Sequence, residues 1–154
     1  MFMKLGEALS KLKKERSRLA RLVLLRKENV YVEKGKKTKF DPKKLSKDID
    51  EKVEEIRKLK IKIQNTNLGT NIKGESISLA EAIIKVNDLR SKLAHLTSLF
   101  EKERKYIFRE KDGKETVAQV DELKIEDEII KVEIEKVQLD NKIQIANWTT
   151  SLID

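Results

Sequence analysis

The sequence predicts a mainly α-helical protein: an antiparallel four-helix bundle or coiled coil, with long helices and short β-hairpins in the connections. Apolar residues recur at alternating steps of three and four along four long segments. Charged residues make up 40% of the chain and aromatic residues only 5%, a balance that is typical of long helices. The segments are joined by short connections, which favour antiparallel neighbours. We therefore expect one helical domain over residues 1–154.

The first helix is predicted from about residue 3 to residue 29. Arg16 stands where its apolar stripe would place another apolar residue, and the stripe consists of Leu5, Leu9, Leu12, Leu19 and Val23. Residues 30–40 then lose the helical period. Val30, Tyr31 and Val32 favour a strand and Gly35 favours a turn, so either a β-hairpin or a basic loop is expected there.

The second helix is predicted over residues 42–67. Asp41 is a good N-cap, and Pro42 suits the first helical position because the N–H that it lacks would have no helical partner there. The apolar stripe of this helix consists of Leu45, Ile49, Val53, Ile56, Leu59 and Ile63. A second hairpin or loop is predicted over residues 70–77.

The third helix is predicted over residues 79–104, because Ser78 and Glu81 have the spacing of a capping box. Its stripe is the most regular in the chain and consists of Leu79, Ala82, Val86, Leu89, Leu93, Leu96 and Phe100. A third hairpin is predicted over residues 106–117 because Asp112-Gly113 is a strong turn pair.

The fourth helix is predicted over residues 121–147, with Asp121 as its cap, and it carries two apolar stripes. The first stripe consists of Leu123, Ile130, Ile134, Val137 and Trp148. The second stripe consists of Ile125, Ile129, Val132, Leu139, Ile143 and Ala146. A helix with two stripes needs partners on two sides. We therefore predict a homo-oligomer in which one set of partners belongs to another subunit.

The composition excludes several classes of protein. The chain has no cysteine, which rules out disulfides and thiolate metal sites. No apolar run approaches about 18 residues, so no membrane span is predicted. The first residues lack the apolar core of a signal peptide, so a cytoplasmic location is expected.

The net charge of +8 is unevenly distributed. Residues 1–47 contain 16 basic and 5 acidic residues, whereas residues 48–154 contain 19 basic and 22 acidic residues. Basic residues beside aromatic rings are typical of nucleic-acid binding or contact with another anionic surface. The candidate basic/aromatic patch consists of Arg18, Arg21, Arg26, Tyr31, Lys36, Lys37, Lys39, Phe40, Tyr106 and Phe108. Pairing of the basic first helix with the acidic fourth helix is the alternative explanation.

A second candidate site lies at the opposite ends of the helices. Antiparallel packing brings the end of the second helix next to the end of the fourth. The candidate polar cluster consists of Asn65, Thr66, Asn67, Asn147, Trp148, Thr149 and Thr150. Amides, hydroxyls and an indole can bind a small polar ligand, or they can satisfy and lock the helix ends.

No catalytic, metal-binding or cofactor-binding residues are predicted. His95 is the single histidine and makes a poor metal ligand or nucleophile partner on its own. The sequence contains no phosphate-binding loop and no dinucleotide fingerprint. The leading hypothesis is a non-enzymatic, self-assembling structural or interaction protein. The alternatives are a nucleic-acid-binding module and a polar-ligand or enzymatic site at the polar cluster.

Four short motifs resemble an uncharacterised bacterial family of small helical proteins that is labelled septicolysin-like. The motifs are Met3–Leu9, Asp41-Pro42, Ile63–Asn67 and Asn147–Leu152. Gln64 stands where the family usually has Asn, and Val86-Asn87 stand where many members have an Arg-Asp pair. The resemblance implies a helical fold and no established activity.

Overall fold

Four long helices account for most of the chain in a computed structural model, which describes residues 2–100 and 117–153. The helices are α1 (Leu5–Glu28), α2 (Pro42–Gly69), α3 (Leu79–Ser98) and α4 (Glu122–Thr149). The mainly α class is therefore confirmed. α3 ends earlier than the predicted residue 104.

Three helices begin where their capping residues predict. Asp41 Oδ1 accepts a hydrogen bond from the Lys43 N–H at 2.9 Å, with Pro42 in the first turn. Ser78 and Glu81 form the reciprocal capping box, in which each side chain accepts from the backbone N–H of the other. Asp121 Oδ1 accepts from the backbone N–H two residues further on, at 3.0 Å. Local cap chemistry thus fixes these starts.

The predicted β-hairpins are not supported. Residues 30–40 form a loop without strand pairing. Val30–Val32 have high β-propensity, but no second strand within the described residues lies beside them to accept their backbone hydrogen bonds. Residues 70–77 contain a tight turn with Gly74 at φ 79°, closed by one bridge between Asn71 and Ser78. The hairpin predicted over residues 106–117 lies almost wholly outside the described residues.

The chain divides into two compact units, which we describe separately. The first unit comprises Met1–Thr70 and Ala146–Asp154, and the second comprises Asn71–Ile145. In the first unit α1 and α2 pack against each other along an antiparallel seam. In the second unit α3 and α4 run antiparallel and are joined by the ion pairs Lys85–Glu135 and Lys92–Glu128.

The α1–α2 seam differs from the predicted stripes at three positions in α1 and at one position in α2. In α1, Ala8 and Leu22 take the places of Leu9 and Val23. Arg16 and Val53 are exposed, whereas Glu15 and Lys52 occupy the seam. The seam residues of α1 are Leu5, Ala8, Leu12, Glu15, Leu19, Leu22, Arg26 and Asn29. The seam residues of α2 are Leu45, Ile49, Lys52, Ile56, Leu59, Ile63 and Thr66. Both sets keep alternating steps of three and four, so a charged residue replaces an apolar one without breaking the period.

The sequence contains an internal repeat that the search for apolar stripes missed. Residues 4–28 and 78–102 align without gaps and are identical at ten of 25 positions. The segment Arg16–Leu22 corresponds to Arg90–Leu96. Residues 41–72 align likewise with residues 121–152, and α2 and α4 are both 28 residues long. We call residues 4–72 the first repeat and residues 78–152 the second repeat.

Each repeat ends in a short tail that pairs with the start of the other repeat. The Leu152 N–H donates to the Met3 carbonyl at 2.8 Å. At the corresponding positions, the Ile72 N–H donates to the Ile77 carbonyl at 3.1 Å. The two repeats therefore make the same backbone contact with exchanged tails.

Candidate functional site

All seven residues of the polar cluster belong to the first unit, and Thr66 is the most buried of them. Thr66 is fully buried at the α2 end of the seam. Its hydroxyl donates to the Lys62 carbonyl at 2.7 Å and accepts from the Ile153 N–H at 3.0 Å. Because both bonds are internal, this hydroxyl ties the end of the chain to α2.

Trp148 lies against the start of α1. A Cβ built on Gly6 would lie 3.0 Å from the ring carbons Cδ2 and Cε3 of Trp148. Gly6 is buried, whereas Trp148 keeps 59% of its surface exposed. The ring therefore packs on the α1 backbone at a place where only glycine leaves room. Ala80 of the second repeat corresponds to Gly6, and Leu68 of the first repeat corresponds to Trp148.

The residues after Trp148 close the unit. The Leu5 N–H donates to the Thr150 carbonyl at 3.0 Å, and Lys4 Nζ donates to the Thr149 carbonyl at 3.0 Å. Asn65 is exposed, and Asn67 and Asn147 are half-buried. The hydrogen bonds of Thr149 and Thr150 hold the end of α4 against the start of α1. A polar-ligand site at the cluster stays a prediction.

The tip loop, residues 29–41, connects α1 to α2 and carries half of the basic/aromatic patch. Asn29 closes its base: Nδ2 donates to the Leu25 carbonyl at 2.8 Å, and Oδ1 accepts from the Phe40 N–H at 3.1 Å. Asn29 itself is buried. One buried amide thus joins the end of α1 to the far side of the loop.

The side chains of the tip loop are largely exposed. Tyr31 is 91% exposed, and Val30 and Val32 beside it are about half exposed. Lys36 and Lys37 are exposed, and Lys39 places its Nζ 5.8 Å from the centroid of the Phe40 ring. The loop therefore presents apolar groups and cations together.

Other members of the basic/aromatic patch have partners within the first unit or lie elsewhere. Arg18 pairs with Glu15 at 2.7 Å, and Arg26 Nε donates to Ser46 Oγ at 2.9 Å. Arg21 is exposed on α1. Tyr106 and Phe108 lie outside the described residues.

The two stripes of α4 have different environments. Val132, Leu139 and Ile143 of the second stripe are buried. The first stripe is exposed instead, at 72% for Leu123, 54% for Ile130, 53% for Ile134, 51% for Val137 and 59% for Trp148. Glu126, Asp127 and Glu133 are exposed along the same part of the helix.

A shallow groove of about 530 Å³ lies on α1. It is lined by Leu9, Leu12, Lys13, Arg16, Ser17 and Ala20. Small and apolar side chains form its floor, and two cations flank it. The groove is thus apolar and basic, whereas the first stripe of α4 is apolar and acidic.

An ion pair between the buried Glu15 and the half-buried Lys52 is the polar feature that apolar periodicity could not show. Lys52 Nζ lies 2.7 Å from Glu15 Oε2 and also contacts Glu55. The hydrogen bond from Lys52, helped by Arg18, lowers the pKa of Glu15, and the bonds to Glu15 and Glu55 raise the pKa of Lys52. Comparison of the repeats would have revealed the pair, because Leu89 and Val132 take these positions in the second repeat.

The described residues contain no group of three or more His, Asp or Glu side chains placed to hold a metal ion. His95 is exposed on α3. Among the same residues, no helix is long and apolar enough to cross a membrane.

Comparison with known proteins yields a family and a fold but no activity. A model described as "Family of unknown function (DUF6847)" matches residues 12–152. A crystal structure of a functionally unknown conserved protein from Corynebacterium diphtheriae is similar to the chain, with a TM-score of 0.87 and 26% sequence identity. That match covers 99% of this chain and 100% of the other. No curated protein matches. Neither similarity bears a septicolysin-like label, so that resemblance stays a prediction.

Proposed function

The chain belongs to the family of unknown function DUF6847, and we propose that it is a non-enzymatic cytoplasmic protein that assembles with copies of itself. The observation that carries the proposal is the exposed first stripe of α4. The proposed contact surface is the part of the stripe from Leu123 to Val137, which lies in the second unit.

The exposed stripe has the pattern of a helix interface. Ile130, Ile134 and Val137 follow steps of four and three, which place them on one face of the helix. Each is more than half exposed. Contiguous apolar surface of this kind is typical of a protein–protein contact. Burial of such surface is favourable by about 25 cal/mol for each Å² of apolar area removed from water.

A second copy of the chain is the proposed partner because α1 offers a complementary surface. Lys13 and Arg16 flank the α1 groove, and Glu126 and Glu133 flank the stripe. Ser17 and Ala20 in the groove are small enough to admit the side chains of another helix. We propose that the stripe of one copy packs in the groove of another, which completes a four-helix arrangement with coiled-coil packing between subunits.

The first test measures the oligomeric state by size-exclusion chromatography with light scattering. Wild type is expected to be larger than a monomer at micromolar concentration, and Ile134→Lys is expected to shift it to monomer. Ile84→Lys is the matched control, because Ile84 is 62% exposed but lies on α3. Circular dichroism confirms that each variant folds. A strictly monomeric wild type contradicts the proposal.

The second test asks whether the α1 groove receives the stripe. The charge reversal Lys13→Glu/Arg16→Glu is expected to weaken assembly because it opposes like charges. Mixing it with a Glu126→Lys/Glu133→Lys chain is expected to restore assembly between the two kinds of subunit. If the Lys13→Glu/Arg16→Glu variant still assembles alone, the groove is not the surface that receives the stripe. The role of the stripe itself is tested separately by Ile134→Lys.

A further inference from the structure

We propose that the tip loop docks on the surface of a membrane that carries anionic lipids. Its Val30–Val32 segment would enter the interfacial region, and its lysines would contact lipid headgroups. The tip loop shares no residue with the stripe or the groove of the proposed assembly.

The conformation of the tip loop is fixed by hydrogen bonds. Asn29 bonds to both sides of its base through the Leu25 carbonyl and the Phe40 N–H. A turn with a hydrogen bond from the Lys36 N–H to the Glu33 carbonyl, with Gly35 at φ 88°, shapes its middle. Left-handed backbone of this kind favours glycine. The exposed side chains are therefore displayed by a closed loop.

The apolar part of the loop suits a bilayer interface. Val30, Tyr31 and Val32 are consecutive and exposed at 54%, 91% and 49%. Three neighbouring apolar side chains held in water indicate an interaction surface. A tyrosine ring with a polar tip is favoured at headgroup level, where one end is apolar and the other wet.

The surrounding charge suits an anionic surface. The cations of the loop and the adjoining helix turns are Arg26, Lys27, Lys34, Lys36, Lys37, Lys39, Lys43 and Lys44. The acids there are Glu28, Glu33 and Asp41; of these, Glu33 pairs with Lys36 and Asp41 caps α2. Cations near an anionic leaflet are attracted to it, and long lysine side chains let the ammonium reach the headgroups while the loop lies deeper.

Nucleic acid is the weaker match to the same loop. Unpaired bases stack on free aromatic faces. Tyr31 offers such a face, but the ammonium of Lys39 lies over the Phe40 ring. Val30 and Val32 present branched aliphatic groups, which do not stack on bases. A bilayer uses all three consecutive apolar side chains, whereas a nucleic acid uses one.

The test is co-sedimentation of the full chain with phosphatidylcholine vesicles, with or without about 30 mol% phosphatidylglycerol, in about 0.15 M salt. Binding is expected to the anionic vesicles. The variant Lys34→Gln/Lys36→Gln/Lys37→Gln/Lys39→Gln is expected to weaken binding by about six hundredfold, since each of the four lysines contributes about fivefold. The control Lys11→Gln/Lys14→Gln/Lys60→Gln/Lys73→Gln removes the same charge elsewhere and is expected to bind within a fewfold of wild type. Equal losses in both variants would overturn the proposal, because net charge and not the loop would then govern binding.

The apolar contribution has its own controls. Tyr31→Ser is expected to weaken binding severalfold, whereas Leu68→Ser, at an exposed position on α2, is expected to have little effect. Because the chain has no cysteine, Val32→Cys can carry a polarity-sensitive dye. Its emission is expected to shift to the blue with anionic vesicles, and a dye at Leu24→Cys on α1 is not.

Single-stranded oligonucleotide, followed by fluorescence anisotropy in the same salt, separates the two classes of partner. Vesicle binding without comparable oligonucleotide binding supports the proposal. Oligonucleotide binding without vesicle binding overturns it in favour of nucleic acid, and failure to bind either probe overturns it outright.

Discussion

Glu15 and Lys52 form an ion pair across the α1–α2 seam, with 2.7 Å between Oε2 and Nζ, at the positions that Leu89 and Val132 occupy in the second repeat. Glu15 is 3% exposed. The same two positions are therefore charged in the first repeat and apolar in the second. Buried ion pairs gain attraction but lose hydration, so their net contribution to stability is often small.

Removal of one partner of the Glu15–Lys52 pair is expected to cost more stability than replacement of both. Lys52→Ala is expected to destabilise the chain strongly, because it leaves the Glu15 carboxylate buried with Arg18 as its remaining cation. The double variant Glu15→Leu/Lys52→Val copies the second repeat and is expected to be at least as stable as wild type. Thermal unfolding followed by circular dichroism ranks the three proteins. A double variant less stable than Lys52→Ala would contradict this account.

The same pair predicts a pH dependence. The folded pKa of Glu15 lies below its ordinary value of 4.5, so its carboxylate stabilises the fold above pH 4.5, and this contribution is lost as pH falls through the folded pKa. The folded pKa of Lys52 is raised above its ordinary value of 10.5, so its contribution is fully present below pH 10.5 and is lost as pH rises through the folded pKa. We expect wild type to lose more thermal stability than Glu15→Leu/Lys52→Val between neutral pH and about pH 3. Parallel curves for the two proteins would show that the pair contributes nothing.

Because Gly6 contacts the ring of Trp148, substitution of Gly6 by alanine is expected to lower the stability of the fold. Gly6→Ala is expected to destabilise the chain by about 1–3 kcal/mol, because the new Cβ meets the indole ring. The emission of Trp148, the one tryptophan, should shift to the red as the ring moves outward. Gly6→Ala/Trp148→Leu introduces the residue types found at the aligned positions Ala80 and Leu68, and it should recover stability because the smaller leucine leaves room for the new Cβ.

Gly69→Ala is the control for that experiment. Its Cβ would lie 3.4 Å from Ile153 Cδ1, an ordinary contact, so stability should be unchanged or slightly higher. Equal losses in the Gly6 and Gly69 variants would indicate a general helix effect and not a clash with the ring.

The hydroxyl of Thr66 predicts a local change at the chain end. Thr66→Val keeps the side-chain shape but removes the acceptor for the Ile153 N–H, at an expected cost of about 1–2 kcal/mol. Hydrogen exchange at Ile153 should accelerate. Thr97→Val removes an exposed hydroxyl bonded within α3 and should change neither measurement. Unchanged exchange at Ile153 in Thr66→Val would contradict the role of the hydroxyl.

Sequence alone predicts the helix starts because capping is local chemistry. Asp41, Ser78 and Asp121 each bond within three residues of themselves. Glu15 and Lys52 can lie in the seam because they pair with each other, and they are 37 residues apart in the sequence. A search for apolar periodicity in one helix at a time cannot detect this pairing, so it assigns the neighbours Arg16 and Val53 to the seam.

The tip loop and the repeat were missed for other reasons. The β-propensity of Val30–Val32 has no effect without a pairing strand, and Asn29 organises the loop through side-chain bonds that propensity does not describe. The repeat is obscured because its two helices align at different spacings, Leu5 with Leu79 and Asn67 with Asn147. Aligning each helix separately reveals it.

The exchanged tails have a kinetic consequence. A molecule of half this length, made of one repeat, could make the same exchanged contact only with a second molecule, and that encounter would slow with dilution. Fusion of two repeats supplies the acceptor within the same polypeptide at a high effective concentration. Closure of the Leu152–Met3 and Ile72–Ile77 contacts is then a unimolecular step whose rate does not depend on how much protein the cell makes.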